Sequence, residues 1–412
     1  MKSQLSQRPR LILIGVGCQG LSGEQTSVLS RCGLIVGDPR HLVQVAEMTA
    51  EKLVISPLAS ALEGIRLGLD SGDVGVLASG DPLFFGIGRR LLKEFGSDQL
   101  LILPALSTMQ EACGRFHLPW DDMQMVSLHG RKTLHSPGLL LEREKTFVFT
   151  DGHNTPAHLA KELIDYLELI EEQPLLHGCR MYVAENLGTA EERLFSGTPA
   201  ETAAEQFAAL NVLIVTRPPL AAAEFLAFGL TEEEIAHSRG LITKDEVRAV
   251  TLHALRLPST GVLWDLGAGS GSISVAAARL QPGLTVFAVD QHPEAFANVQ
   301  RNIRDFGCYN IIPVQGEASA VVSTLPDPDR VFIGGSGGKL AEIIGQAAQR
   351  LPCGGRMVVN GVILKTVAEA PPCMAAHGLK VALTKVQIER TTFPESNPAK
   401  VLNPITVMTG SK

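Results

Sequence analysis

The chain has 412 residues, more than a single hydrophobic core usually serves, so two or three domains are expected. Apolar residues make up 45% and charged residues 19%, a globular rather than a disordered composition, and the net charge of −7 argues against a general nucleic-acid footprint. Seven cysteines with no CxxC pair argue against a disulfide framework or a zinc ribbon, and no apolar run reaches the ~18 residues of a membrane span. The expectation is a soluble, cytoplasmic protein that binds no nucleic acid, membrane or metal of its own.

Strand-like runs alternate with helical stretches from the first residues onward: RLILIG, GLIVGD, DVGVLASGDP and QLLILPA, then TFVFTD, RMYVAEN and NVLIVTRPP. This order predicts an α/β fold with mostly parallel strands. The first run enters a glycine turn, LILIGVGCQG, that matches GxGxxG at Gly15, Gly17 and Gly20 with Asp38 further on, the spacing of a nicotinamide site. Against that, Ser22 followed by Gln25 forms a capping box, which starts the helix after the last of these glycines rather than within them. The run VLASGDPLFFGIGRRL ends a strand in Ser79-Gly80-Asp81-Pro82; ordinary turn chemistry explains it, and so does a backbone shaped to close on a ligand. A hinge between two lobes is expected near Pro104 to Cys113.

These residues resemble the tetrapyrrole methylases, class III methyltransferases that bind S-adenosylmethionine between two α/β lobes. The marks are GVGCQGLS, SGDPLFFGIGRRL, PALSTMQEACGRFHLPW and SLHGR, within residues 10 to 215, and the last three resemble the branch that methylates C5 of a corrin precursor. The resemblance implies lobes of about 1–108 and 109–215, with Gly17, Gly80, Asp81, Phe84, Ser107, Thr108, Ala184 and Leu187 at the cofactor and His129 and Arg131 toward substrate. The family's first loop commonly reads G-x-G-P-G, where this chain has Cys18 and Gln19. That departure leaves a second reading open, in which the first half only holds substrate.

Around Arg217 the texture changes: RPPLAAAEFLAFGLTEEEIAHSRG reads as a linker, 216–240, containing a short helix. Strand and helix then alternate again through GVLWDLG, TVFAVD, IIPVQG, RVFIGG and GGRMVVNGV. The stretch TKDEVRAVTLHAL reads as an amphipathic helix with Thr243 as N-cap and Glu246 completing a capping box, burying Val247, Val250 and Leu255. DLGAGSG is a GxGxG turn, Gly267-Ala268-Gly269-Ser270-Gly271, between strand and helix, suited to a ligand that brings no phosphate. Asp290 ends the next strand, where a carboxylate accepts ribose hydroxyls, and Glu317 and Ala318 follow the third. GGSGGK, with Gly335 and Ser336, reads either as a flexible turn or as the floor under a large flat ligand.

Residues 241–412 resemble the class I S-adenosylmethionine-dependent enzymes that methylate and decarboxylate a corrin precursor at C15, through GLITKDEVRAV, GAGSG, AVD, GEA and FIGGSGG. The resemblance puts Thr243, Gly267 to Gly271, Asp290, Glu317 and Ala318 at the cofactor. Lys244 and Arg248, laid over the cleft, become substrate anchors, with Lys339, Lys365 and Arg390 as further cations. His253 and His292 titrate in the range of a decarboxylation acid, although a core or capping role explains either, and no catalytic residue is assigned. Together the two resemblances imply one S-adenosylmethionine per domain. They imply C5 and C15 methylation of precorrin-6B or its cobalt form, with loss of carbon dioxide from the ring C acetate, in cobalamin biosynthesis. The expected partner is a tetrapyrrole, and the expected assembly is a homo-oligomer.

Overall fold

A computed structural model describes residues 10–130, 132–220, 228–394 and 399–412. By internal contacts the chain forms two compact units. The first comprises Met1–Arg131, Lys145–His158 and Arg180–Thr216; the second comprises Lys132–Glu144, Leu159–Cys179 and Arg217–Lys412.

Unit one holds two five-stranded sheets. The first is built from β1 (Leu11–Val16), β2 (Leu34–Gly37), β3 (Glu51–Val54), β4 (Val74–Ser79) and β5 (Leu100–Leu103), in the order β3-β2-β4-β1-β5. All its pairs are parallel, and β1 is buried along its whole length, as LILIGV requires when helices cover both faces. The second contains β6 (Gln124–Ser127), β7 (Lys145–Phe149), β8 (Arg180–Glu185), β9 (Arg193–Gly197) and β10 (Asn211–Thr216), in the order β6-β7-β10-β8-β9. Here the expectation of mostly parallel strands fails: only β6 and β7 run parallel. The reason is connectivity, since β8 and β9 are joined by seven residues, Asn186 to Glu192, too few for a crossover.

Unit two carries a seven-stranded sheet of β11 (Gly261–Leu266), β12 (Leu284–Asp290), β13 (Ile311–Gln315), β14 (Arg330–Ile333), β15 (Arg356–Gly361), β16 (Lys380–Val386) and, after the small pair β17 (Glu389–Arg390) and β18 (Lys400–Val401), β19 (Ile405–Ser411). The order is β13-β12-β11-β14-β15-β19-β16, parallel through β15 and antiparallel at β19. Trp264, Leu266, Val289, Ile333, Ile344 and Met357 belong to the core beside this sheet.

Two local expectations are corrected. The helix Asp245–Leu255 starts after Lys244, not Thr243, and has no side-chain cap, because Glu246 pairs with Arg390 instead of turning back on the helix start. It buries Val247, Arg248, Thr251, Leu252 and Leu255, while Val250 is half-buried. The linker helix is not seen among the described residues: 228–240 form turns, and 221–227 lie outside the described residues.

Candidate functional site

Both sites grow from strands that end in glycine. In unit one, β1 runs into Gly17-Cys18-Gln19-Gly20, a tight turn closed by Gly20 N–H donating to the Gly17 carbonyl at 3.0 Å. Ser22 then caps the helix Gly23–Leu29 in the capping box expected, with Gln25 returning the bond to the Ser22 amide at 2.9 Å. The end of β4 packs against this turn, since Gly80 N–H donates to the Val16 carbonyl at 2.8 Å. Ser107 caps the helix Thr108–Phe116 with a second capping box.

Two cavities open here. One of about 270 Å³ is lined by Gly17, Cys18, Gly80, Thr108, Ala184 and Leu187 among others. A larger one, about 730 Å³, is lined by Asp81, Phe84, Phe85, Ser107, Thr108 and His129 with further neighbours. Its aromatic wall gathers Phe84, Phe85 and Phe149 in edge-to-face and tilted contact, with ring centroids 5.1 to 5.8 Å apart. Asp81 turns its carboxylate back to accept from the Leu83 amide at 2.8 Å. His129 is aimed by a 3.1 Å hydrogen bond between Nδ1 and the Thr150 carbonyl. Asp151 secures that loop, accepting from the amides of Gly130, His153 and Asn154, which holds its carboxyl down at about 2. Arg131 lies outside the described residues. Burial and the Glu111 carboxylate push the Cys18 thiol up, so it stays protonated and serves as wall rather than nucleophile.

In unit two, Gly267, Gly269 and Gly271 all adopt left-handed backbone, with φ of +71°, +57° and +72°, which side chains strongly resist. The turn is gripped from β12: Ala268 N–H donates to the Val289 carbonyl at 3.0 Å, and Gly269 N–H to Asp290 Oδ2 at 2.9 Å. Ser270 is buried, and its carbonyl accepts from Asn302 Nδ2 at 2.8 Å. Beneath it, Asp265 is fully buried and burial raises its carboxyl to about 7; Ser274 hydrogen-bonds Oδ2, while Oδ1 has no partner among the described residues. A cavity of about 140 Å³ is lined by Gly267, Asp290, His292, Glu317, Ala318, Gly335 and Ser336 among others. Lys339 lies 2.6 Å from Glu317 at its rim.

Arg248, Lys244 and Arg390 are engaged elsewhere. Arg248 is 3% exposed, held by the Leu230 carbonyl and by Asp245 Oδ1 at 2.9 Å. Lys244 pairs with Glu232, and Arg390 bridges Glu232 and Glu246. Thr243 is half-buried and Lys365 and His253 are exposed; none lines the 140 Å³ cavity. Sequence reasoning missed Phe85, Asp265, and the His41–Ser79 pair, which lines both cavities of unit one. For Phe85 and Asp265 a signal existed, an apolar FF and an acidic residue inside a buried strand; for His41 there was none. Among the described residues no His, Cys, Asp and Glu cluster could hold a metal ion.

A cradle without side chains, a carboxylate at the second strand end and an aromatic trough beside a second glycine turn suit a nucleoside donor and a flat acceptor. Comparison with known proteins agrees. Residues 10–203 match the family model of tetrapyrrole (corrin/porphyrin) methylases, and residues 234–397 match that of the precorrin methyltransferase domain. A precorrin-6Y C(5,15)-methyltransferase [decarboxylating] from Sinorhizobium sp is 33% identical over 86% of this chain and 85% of its own. The chain belongs to this family. The Mycobacterium tuberculosis (strain CDC 1551 / Oshkosh) protein of the same name is 31% identical over 87% of this chain and 88% of its own. A solved structure named precorrin-6Y C5,15-methyltransferase, from Geobacter metallireducens GS-15, is similar at 39% identity and a TM-score of 0.45, covering 46% of this chain and 100% of that one. Within the precorrin-6Y C5,15-methyltransferases, then, this chain spans both family models.

Proposed function

We propose that this chain methylates a corrin precursor, precorrin-6B or its cobalt form, at C5 and C15 and removes carbon dioxide from the ring C acetate, as a step in cobalamin biosynthesis. Residues 1–215 carry out the C5 methylation, and residues 241–412 carry out the C15 methylation and the decarboxylation. Each half binds one S-adenosylmethionine, which supplies an electrophilic methyl group when bound. The observation that carries this reading is the pair of glycine cradles at strand ends, at Gly17–Gly20 and Gly267–Gly271.

In the second half the fit rests on space: a Cβ on Gly267 would sit 2.4 Å from the Gly335 carbonyl, so only bare backbone fits, leaving the turn open toward Asp290. Asp290 is placed to receive ribose hydroxyls, Ala318 and Glu317 to border the base, and Gly335 and Ser336 to floor the macrocycle. In the first half Gly17, Gly80, Thr108, Ala184 and Leu187 surround the donor, while Asp81, Phe84 and Ser107 border the larger cavity. Phe84, Phe85 and Phe149 offer stacking area to a conjugated ring, and His129 borders the same cavity. Catalysis of methyl transfer is here largely alignment of carbon, methyl and sulfur, which fixed cavities provide.

Incubating the full chain with a corrin precursor and S-adenosylmethionine, followed by mass spectrometry, is expected to show two methyl groups gained and one carbon dioxide lost. A product with a single new methyl, at C15, would favour the reading in which the first half only holds substrate.

A further inference from the structure

The two cavities of unit one share three lining residues: His41, Ser79 and Thr108. A group passing from a donor in the smaller cavity to an acceptor in the larger one crosses where they meet, so the chemistry of that point belongs to these three. Of them only histidine is a base near neutral pH.

A third member, Arg40, shares the serine oxygen. Ser79 Oγ lies 2.8 Å from Arg40 Nη2 and 2.9 Å from His41 Nε2. A guanidinium only donates, so it occupies a lone pair of the serine oxygen. The serine hydrogen is then free to point at His41 Nε2, which accepts it in the tautomer that carries its proton on Nδ1. His41 is 8% exposed.

We propose that Ser79 and His41 form the proton-accepting pair for the methylation performed in the first half, an assignment that rests on the smaller cavity holding S-adenosylmethionine and the larger one the tetrapyrrole. Replacing hydrogen by methyl on a ring carbon needs such a pair. The new carbon–carbon bond uses a π pair of the ring, and the sulfur keeps the pair of the bond it loses. The carbon's C–H bond then breaks, its electron pair returns to the conjugated system, and its proton passes to Ser79 Oγ as the serine proton moves to His41 Nε2. One proton is released to solvent per methyl transferred, so charge and atoms balance.

The setting favours the neutral base. Burial and the Arg40 charge hold the imidazole below the usual histidine range, with Asp38 pulling the other way. Other charged or titratable groups lining the two cavities are Asp81, Arg89, His129, Cys18 and Glu111. Arg40 thus opposes a lasting imidazolium.

The test uses the full chain, its His41→Gln and Ser79→Ala variants, and three readouts. Nitrogen-15 NMR of the wild type is expected to show His41 Nε2 as an unprotonated acceptor titrating below pH 6.5, and Ser79→Ala to change that signature. Calorimetry with S-adenosylhomocysteine is expected to give the same stoichiometry for both variants as for wild type. C5 methylation is expected to fall by about 100-fold or more in His41→Gln, in its rate constant rather than its KM, and to lose its acid limb, while C15 methylation stays unchanged as internal control. A proton on Nε2, or a His41→Gln variant that methylates C5 at the wild-type rate, would overturn the assignment. A wild-type chain that leaves C5 bare or takes no ligand in its first half would strike the underlying reading and the pair with it.

Discussion

A methyl group added to Gly267 would lie 2.4 Å from the Gly335 carbonyl oxygen and 2.5 Å from its amide nitrogen, on a backbone already at φ +71°. Neither atom can retreat, because Gly335 N–H is itself directed at the Leu266 carbonyl, 3.4 Å away, and Gly334 N–H donates to the same oxygen at 2.9 Å. Gly267→Ala is therefore expected to destabilise the second unit by about 2 kcal/mol or more and to abolish ligand binding there while leaving the first half's binding intact. Thermal unfolding and calorimetry with S-adenosylhomocysteine check both parts; wild-type affinity at both sites would show that the cradle is not the binding surface. The glycines were legible in the sequence because left-handed turns demand them. The ends of the cationic side chains were not. Arg248 and Lys244 carry charge in a pattern that suits a carboxylated substrate, yet the segment 228–240 folds back and supplies Glu232 and the Leu230 carbonyl to meet them. Contacts made across such sequence distances leave no local periodicity to read.

At the scale of elements, the helix starts show what local signals can do. Ser22-x-x-Gln25 and Ser107-x-x-Gln110 both form reciprocal caps, and the second helix so started walls a ligand cavity with Thr108 and Glu111. Ser107→Ala should cost about 1 kcal/mol in denaturant unfolding and weaken binding in the first half, where Thr108 lines both cavities. Unchanged stability would mean the helix is held by packing alone. The same rule misplaced the start of Asp245–Leu255, because Glu246 had a stronger partner in Arg390, 144 residues away, than the helix amide it was assigned. Strands divided in a similar way. Buried runs such as LILIG and VLWDL were plain, whereas β3, β9 and β16 were missed: EKLV, RLFSG and KVALTKV lie at sheet edges, and their residues are largely exposed or half-buried. An edge strand has no need of the apolar alternation by which strands are recognised.

For the whole molecule, the parallel sheets and the glycine turns that follow their strands were legible in strand order and spacing, but the way the chain sorts into units was not. Residues 132–144 and 159–179 belong with the second unit although they precede it by far in sequence. His135 is central there: it is half-buried, its Nε2 donates to the Tyr309 carbonyl at 2.7 Å, and its ring meets Tyr166, whose hydroxyl donates to the Ile311 carbonyl at 2.9 Å. Burial lowers its pKa to about 4, partly offset by the bond to Tyr309. The unfolded chain thus binds a proton at His135 below pH 6.5 that the folded one refuses. Stability is whole above that pH and falls as pH drops toward 4, by on the order of 3 kcal/mol. Urea unfolding followed through Trp264 in a Trp120→Phe background should show this slope, and His135→Gln should flatten it; an equal slope in the variant would assign the effect to other groups.

Two donor sites in one chain is the claim on which the rest depends, and the number of S-adenosylhomocysteine molecules bound per full-length chain measures it most directly. Isothermal titration calorimetry is predicted to give two per chain in the wild type and one in Gly267→Ala, the survivor being the first-half site. A wild-type stoichiometry of one, abolished by Gly267→Ala, would contradict the account.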